Sequence, residues 1–249
     1  MRIPKVIAHR GYQRQFPENT MSAIRGAVEC GAMFFEIDIH LSADRVPVLS
    51  HDDNLWRMCG IGYAVHETTI GELQQYAASE SSRLGERFLA EPVATLAQVG
   101  EFLALHPQVT AFVELKASAA RHFGPQIVVG QVLDALPDVL DQCVFISFDT
   151  DLLREVQRQS QSAIGPVISN WDKRSALESF HRPPRVLFCD LKGLPASGDL
   201  SLANAELAVY EVADAETACG LADRGVDYVE TFAVCEMLRQ LDSISKQER

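Results

Sequence analysis

The chain has 249 residues, 47% of them apolar, and a formal net charge of −12. That length suits one large domain or two small ones, with no linker dividing it and enough apolar residues for a sizeable core, and the charge argues against nucleic-acid binding through bulk electrostatics. It does not exclude a small anionic ligand, because local Arg, Lys or metal charge overrides the global field.

The N-terminus, M-R-I-P-K-V-I-A-H-R, carries an apolar run too short for the h-region of a signal peptide, and cleavage there would remove His9. No apolar run approaches the roughly 20 residues of a membrane span, so the expected location is cytoplasmic. A strand at 6–8 ends on His9-Arg10-Gly11, followed by P-E-N-T at 17–20 and a helical pattern at 19–29. The next strand, 34–39, carries Glu36 and Asp38. Only residues 41–45 separate it from the apolar stretch 46–50, too few for a parallel crossover. The spacing predicts a hairpin turned by Ser42-Ala43-Asp44-Arg45 that brings His51 back toward Glu36 and Asp38.

Residues 53–92 lack a clear strand–helix unit apart from a short helix starting near Thr69; a stretch of this length is functional or a small insertion. Beyond it, strands at 111–115, 144–147, 164–168, 186–189, 207–212 and 228–230 alternate with helical patterns at 96–105, 125–136, 150–159 and 215–224. Such alternation predicts a parallel sheet. About eight units in a chain of this size predict an α/β fold, a closed (β/α)8 TIM barrel with its site at the C-terminal strand ends. Six cysteines, at 30, 59, 143, 189, 219 and 235, form no C-x-x-C pair. They read as reduced, mostly buried thiols, Cys59 beside Gly60 being the one expected at the surface, and no zinc site is expected.

The chemistry lies in the polar intrusions. Charged groups in buried strands are costly unless paired or metal-bound. Glu36 and Asp38 are two apart and share one face of their strand. Two such carboxylates repel unless a cation lies between them or one keeps its proton, and hard oxygen ligands suit Mg2+ or Ca2+. His9 and His51 can flank that space as proton carriers. A metal, two histidines and Arg10 fit hydrolysis of a phosphate ester. His40, His66, His106, His122 and His181 are expected to be structural.

The order H-R-G, P-E-N-T, E-x-D, V-P-V-x-x-H-D and V-E-L-K (113–116) resembles the glycerophosphodiester phosphodiesterases, a phospholipase-C-like barrel family, densely up to Lys116 and more thinly beyond. The resemblance implies a single domain over 1–249 with an insertion subdomain at about 53–92 over the catalytic mouth, where Trp56, Met58 and Tyr63 either touch substrate or form the insertion's own core. It implies His9 and His51 as the acid–base pair. Glu114 and Lys116 share one face and have a buried ion pair as one alternative; beside E-x-D, and with the resemblance, Glu114 becomes the third metal carboxylate and Lys116, with Arg10, a phosphate ligand. Glu18 and Asn19 would support the site by hydrogen bonding, unless Asn19 or Thr20 simply caps the following helix.

The C-terminal half departs from the family. Tyr210-Glu211-Val212-Ala213 stands where a tryptophan-threonine-valine-asparagine run is usual, and Thr231-Phe232, preceded by Glu230, where threonine-aspartate is usual. The resemblance implies metal-dependent hydrolysis of glycerophosphodiesters, the deacylated phospholipids, to glycerol 3-phosphate and an alcohol. Other readings are the same chemistry on lysophospholipids or another small phosphodiester, and a non-catalytic barrel that binds a phosphorylated ligand. A homo-oligomer is compatible with the sequence. No motif is reserved for the alcohol, so choline, ethanolamine and glycerol headgroups are expected to be cleaved within roughly a factor of ten.

Overall fold

The computed structural model describes residues 2–247. In chain order the elements are β1 (Lys5–Ala8), α1 (Met21–Glu29), β2 (Phe34–Leu41), β3 (Pro47–Leu49), α2 (Trp56–Cys59), α3 (Ile70–Leu73), α4 (Ser81–Leu84), α5 (Leu96–Ala104), β4 (Thr110–Leu115), α6 (Ala117–Phe123), α7 (Pro125–Asp134), β5 (Cys143–Ser147), α8 (Thr150–Gln159), β6 (Ala163–Ile168), β7 (Val186–Asp190), β8 (Glu206–Tyr210), α9 (Ala215–Asp223), β9 (Tyr228–Thr231) and α10 (Val234–Gln247). Parallel pairing of β1 with both β9 and β2 closes a ring of eight strands; β3 is the ninth, antiparallel to β2 outside the ring. The predicted hairpin is present. The Ser42 amide donates to the Val46 carbonyl, and Arg45 takes φ 65° in the turn.

Period-2 alternation sorts the barrel residues. On β2, Phe35, Ile37 and Ile39 face outward and join the core shared with the helices, leaving Glu36 and Asp38 for the inner face. On β4, Val113 and Leu115 face outward and Phe112 inward. The barrel interior is filled by Ile7, Phe112, Val144, Ile146, Val167, Val186, Phe188, Ala208 and Tyr228. This apolar plug leaves polar groups room only at its upper end, the usual arrangement of such barrels.

Two connections depart from the regular unit. A 3-10 segment, Trp171–Ser179, replaces a helix between β6 and β7, and Leu191–Gly193 is the only helical turn between β7 and β8. Pro183-Pro184 and the Gly- and Pro-bearing stretch 193–198 supply the reason, since neither sequence sustains i→i−4 bonding. Residues 53–92 fold over the β3 side. Leu55, Met58, Val65, Leu73, Ala78 and Val93 bury one another there, together with Val48. Met58 belongs to that small core, while Trp56 and Tyr63 are 68% and 58% exposed. The short helix α3 carries a capping box from Thr69 and Glu72.

The expectation of reduced thiols is corrected at one pair: Cys30 and Cys235 form a disulfide. Ring closure between β1 and β9 lays the end of α1 beside the start of α10, with the two Cα atoms 5.6 Å apart, inside the span a disulfide bridges. Cys143 and Cys189 are buried thiols, pushed up to about 12 and about 11 by burial, and Cys59 is only partly exposed. Cys30→Ser is expected to lower the stability of the oxidised protein by about 2–4 kcal/mol, the usual worth of a bond closing a long loop, as read from urea unfolding. Six titratable thiols in the denatured, unreduced protein would remove the bond from the account.

Candidate active site

His9 follows β1, Glu36 and Asp38 lie on β2, Glu114 lies near the end of β4 with Lys116 just after it, and His51 follows β3. The fold brings His9, Arg10, Glu36, His51, Glu114 and Lys116 to one cavity of about 140 Å³ at the C-terminal end of the barrel. Asp38 lies against the same group. Its Oδ1 accepts from Lys116 Nζ at 2.9 Å, and its Oδ2 lies 3.2 Å from Arg10 Nε.

Backbone conformation aims several of these groups. Arg10 adopts φ 54° and Asn19 φ 55°, left-handed values that are uncommon outside glycine. Gly11 follows at φ 77°, where an added Cβ would sit 2.6 Å from the Ala23 carbonyl carbon, so only glycine fits the turn. Arg10 thereby turns back over the barrel. The Asn19 side chain grips Asp38 twice, donating from Nδ2 at 2.8 Å and accepting the Asp38 amide at 3.0 Å. The cap of α1 is Thr20, which accepts from the Ala23 amide, so Asn19 is left to hold Asp38.

Electrostatics divide the carboxylates. Against the upward push of burial, Lys116 and Arg10 hold Asp38 well below the usual carboxylate range. Burial, with Asp38 and Glu230 close by, lifts Glu36 well above it, and burial with Asp38 lifts Glu114 to about 7. Burial and then Arg10 keep the His9 imidazole well below its ordinary value. Burial and Lys116 lower His40 to about 4, in keeping with a structural histidine.

A metal fits this donor set. Glu36, Asp38 and Glu114 each offer an oxygen within 4.8 Å of the others. Glu36 Oε1 is buried without a hydrogen-bond partner, a cost that a cation would remove. Oxygen-only carboxylate ligands are hard donors.

Glu211 and Glu230 in the lining, and Phe232 beside His9, carry no expected role. Glu230 is 3% exposed, with Oε1 unpartnered, and groups with His9 and Glu36 within 4.8 Å. Phe232 stacks on the His9 ring at 4.5 Å, and Glu211 Oε1 lies 3.4 Å from His9 Nδ1. Phe148, Phe188 and Tyr210 complete the wall. For Glu211, Glu230 and Phe232 the available signal was their departure from the family pattern. The cavity lining therefore includes aromatic and acidic groups and is not featureless as expected.

A chain of charged contacts reaches this cavity from the insertion. His51 Nδ1 lies 2.8 Å from Asp52 Oδ1, and Asp52 Oδ2 accepts from Arg57 Nε at 2.8 Å. Arg57 also donates to Glu18 Oε1 at 2.7 Å, the same oxygen that Arg10 reaches at 2.9 Å. Glu80 joins through Arg57, Arg83 and the Glu18 amide. Asp52 is legible beside His51, but nothing in the sequence marks Arg57 or Glu80. Arg57→Ala removes one of two cations from Glu18, which is 1% exposed, and should cost about 1–3 kcal/mol of stability. Urea unfolding measures it; an unchanged midpoint would show that Arg10 alone suffices for Glu18.

Comparison with known proteins gives the family. The profile of the glycerophosphoryl diester phosphodiesterase family matches residues 9–190. Glycerophosphodiester phosphodiesterase 1 of Bos taurus is 26% identical over 193 residues, covering 74% of this chain and 57% of that protein. A glycerophosphodiester phosphodiesterase of Caldanaerobacter subterraneus is 36% identical over 98 residues, 39% of this chain and 40% of that one. The chain thus spans about half the length of the curated relatives it matches. Among solved structures, a phosphodiesterase of Oleispira antarctica, in complex with the product sn-glycerol-3-phosphate, superposes with TM-score 0.82 at 24% identity, over 96% of this chain and 97% of that one. Because the profile match spans every polar motif from His9 to Lys116, the chain belongs to the glycerophosphoryl diester phosphodiesterase family.

Proposed function

We propose that this protein hydrolyses glycerophosphodiesters, the deacylated phospholipids of lipid metabolism, to glycerol 3-phosphate and an alcohol. One observation carries the reading: two imidazoles, a carboxylate set, Arg10 and Lys116 converge on one small cavity. The sn-glycerol-3-phosphate bound to the Oleispira antarctica phosphodiesterase is of the expected product class. Glu36, Asp38 and Glu114 would hold Mg2+ or Ca2+. Such an ion, when bound, polarises a phosphoryl oxygen and offsets its charge.

The chain's own residues supply the rest. Lys116 and the planar guanidinium of Arg10 suit the free oxygens of a phosphodiester. His9, kept neutral by burial and Arg10, accepts the proton of the attacking oxygen, either of water or of a neighbouring glycerol hydroxyl, in the second case giving a cyclic phosphate that water then opens to glycerol 3-phosphate. His51, with Nδ1 held by Asp52, presents Nε2 and returns a proton to the leaving alkoxide, the pairing that general acid–base catalysis requires. Glu18 and Asn19 position Arg10 and Asp38 through the bonds described. Residues 53–92 act in this reading as an insertion subdomain within one domain, reaching the site through Arg57.

A turnover assay with glycerophosphocholine and glycerophosphoethanolamine, each divalent metal added in turn, tests the function; phosphate-ligand binding without turnover would favour the binding-protein reading. Among the described residues no helix is long and apolar enough to cross a membrane. The cytoplasmic location stays part of the proposal. Fractionation tests it, and recovery from an oxidising compartment with the Cys30–Cys235 bond closed would overturn it.

A further inference from the structure

Glu230 is the least explained charge in the molecule. On β9 it shares a face with Tyr228, a member of the barrel's inner core, so its side chain turns into the barrel. It lines the small cavity, it is 3% exposed, and its Oε1 has no hydrogen-bond partner. A buried carboxylate left in that state is costly.

Charge balance sharpens the point. Glu36, Asp38, Glu114 and Glu230 surround the cavity with Arg10 and Lys116 as the adjoining cations. With all four carboxylates ionised and one divalent ion and one phosphodiester anion added, the group is one positive charge short. Glu18 gives nothing back, since it is itself shared between Arg10 and Arg57. Glu211, whose side chain is 46% exposed at the mouth, adds a further negative charge on the same side.

Two aromatic rings line the same cavity as these two acids. Tyr210 and Phe148 meet edge to face with centroids 6.5 Å apart, and the Tyr210 hydroxyl donates to the Ile168 carbonyl at 3.0 Å, which orients its ring. Aromatic faces beside carboxylates attract ammonium groups, and an ammonium N–H is the donor that an unpartnered carboxylate oxygen lacks.

We propose that Glu230, Glu211, Tyr210 and Phe148 form a subsite for the cationic amine of the substrate's alcohol, so that ammonium-bearing diesters are selected over those of an uncharged alcohol. This rests on the proposed hydrolysis of glycerophosphodiesters and names its substrate class. A primary ammonium satisfies Glu230 through N–H donation. A quaternary ammonium would use only the rings and the charge.

The test compares kcat/KM for glycerophosphoethanolamine, glycerophosphocholine and glycerophosphoglycerol, whose alcohol is uncharged, and in parallel the calorimetric binding of ethanolamine and of glycerol to the Mg2+-loaded protein. Expected are a preference of at least tenfold for the ammonium-bearing diester and at least tenfold tighter binding of ethanolamine than glycerol. Both ratios should fall to threefold or less in Glu230→Gln and in Glu211→Gln. If Glu230→Gln does not fold, the mouth residue Glu211 still carries the test. Wild-type ratios below tenfold, or ratios that persist in the folded variants, overturn the subsite. Absence of turnover on all three diesters refutes the proposed function instead, and calorimetry then decides the amine site by itself. Ethanolamine ahead of choline identifies N–H donation to Glu230 as the source of selectivity.

Discussion

Stripping the protein of divalent cations is expected to abolish turnover of glycerophosphodiesters, with Mg2+ or Ca2+ restoring it. Glu36 Oε1 is buried and unpartnered, and burial together with Asp38 and Glu230 lifts its carboxyl well above the ordinary range. A carboxylate so placed is stabilised by a cation and destabilised by its neighbours without one. Glu36→Gln keeps the shape and removes the charge. It should therefore lower kcat about 10²–10³-fold, the range for removing one electrostatic stabiliser of a transition state, while the metal-free variant unfolds at a urea concentration no lower than the wild type. Metal content by elemental analysis, alongside activity, separates the two effects. Full activity in protein shown to be metal-free would refute the carboxylate site, and a sharp loss of stability in Glu36→Gln would assign that residue a structural role instead.

Replacing either imidazole is expected to be nearly as severe. His9→Ala and His51→Ala should each lower kcat on the order of 10²–10⁴-fold. The two variants should differ in other respects. His9 is 8% exposed and stacked on Phe232, so its loss opens a small void and costs some stability as well. His51 is partly exposed with Nδ1 on Asp52, so its loss should leave the unfolding midpoint close to wild type. Asp52→Asn should lower kcat with less effect on KM, because the imidazole loses its orienting carboxylate but the phosphate ligands remain. Near-normal turnover by His51→Ala would sink the acid–base pair and favour the binding-protein reading.

The local patterns of the chain determined a good deal without tertiary information. Strand periodicity placed Glu36 with Asp38 and Glu114 with Lys116, because alternation along a strand depends on nothing beyond the strand. The five-residue gap after β2 compelled a hairpin, since a parallel crossover needs a dozen or more residues, and that hairpin delivered His51 to the carboxylates. What the sequence could not determine depended on closure. The Cys30–Cys235 bond spans 205 positions and forms only where β1 meets β9. Arg57 and Glu80 enter the site because the insertion packs over β3, a contact written in no periodicity. Whether Glu230 is a solvated charge or a buried orphan depends on which side chains fill the barrel below it and which cation remains within reach. A motif names the groups available to a site, but burial and pairing belong to the assembled fold, because desolvation and Coulomb energy are set by neighbours distant in the chain.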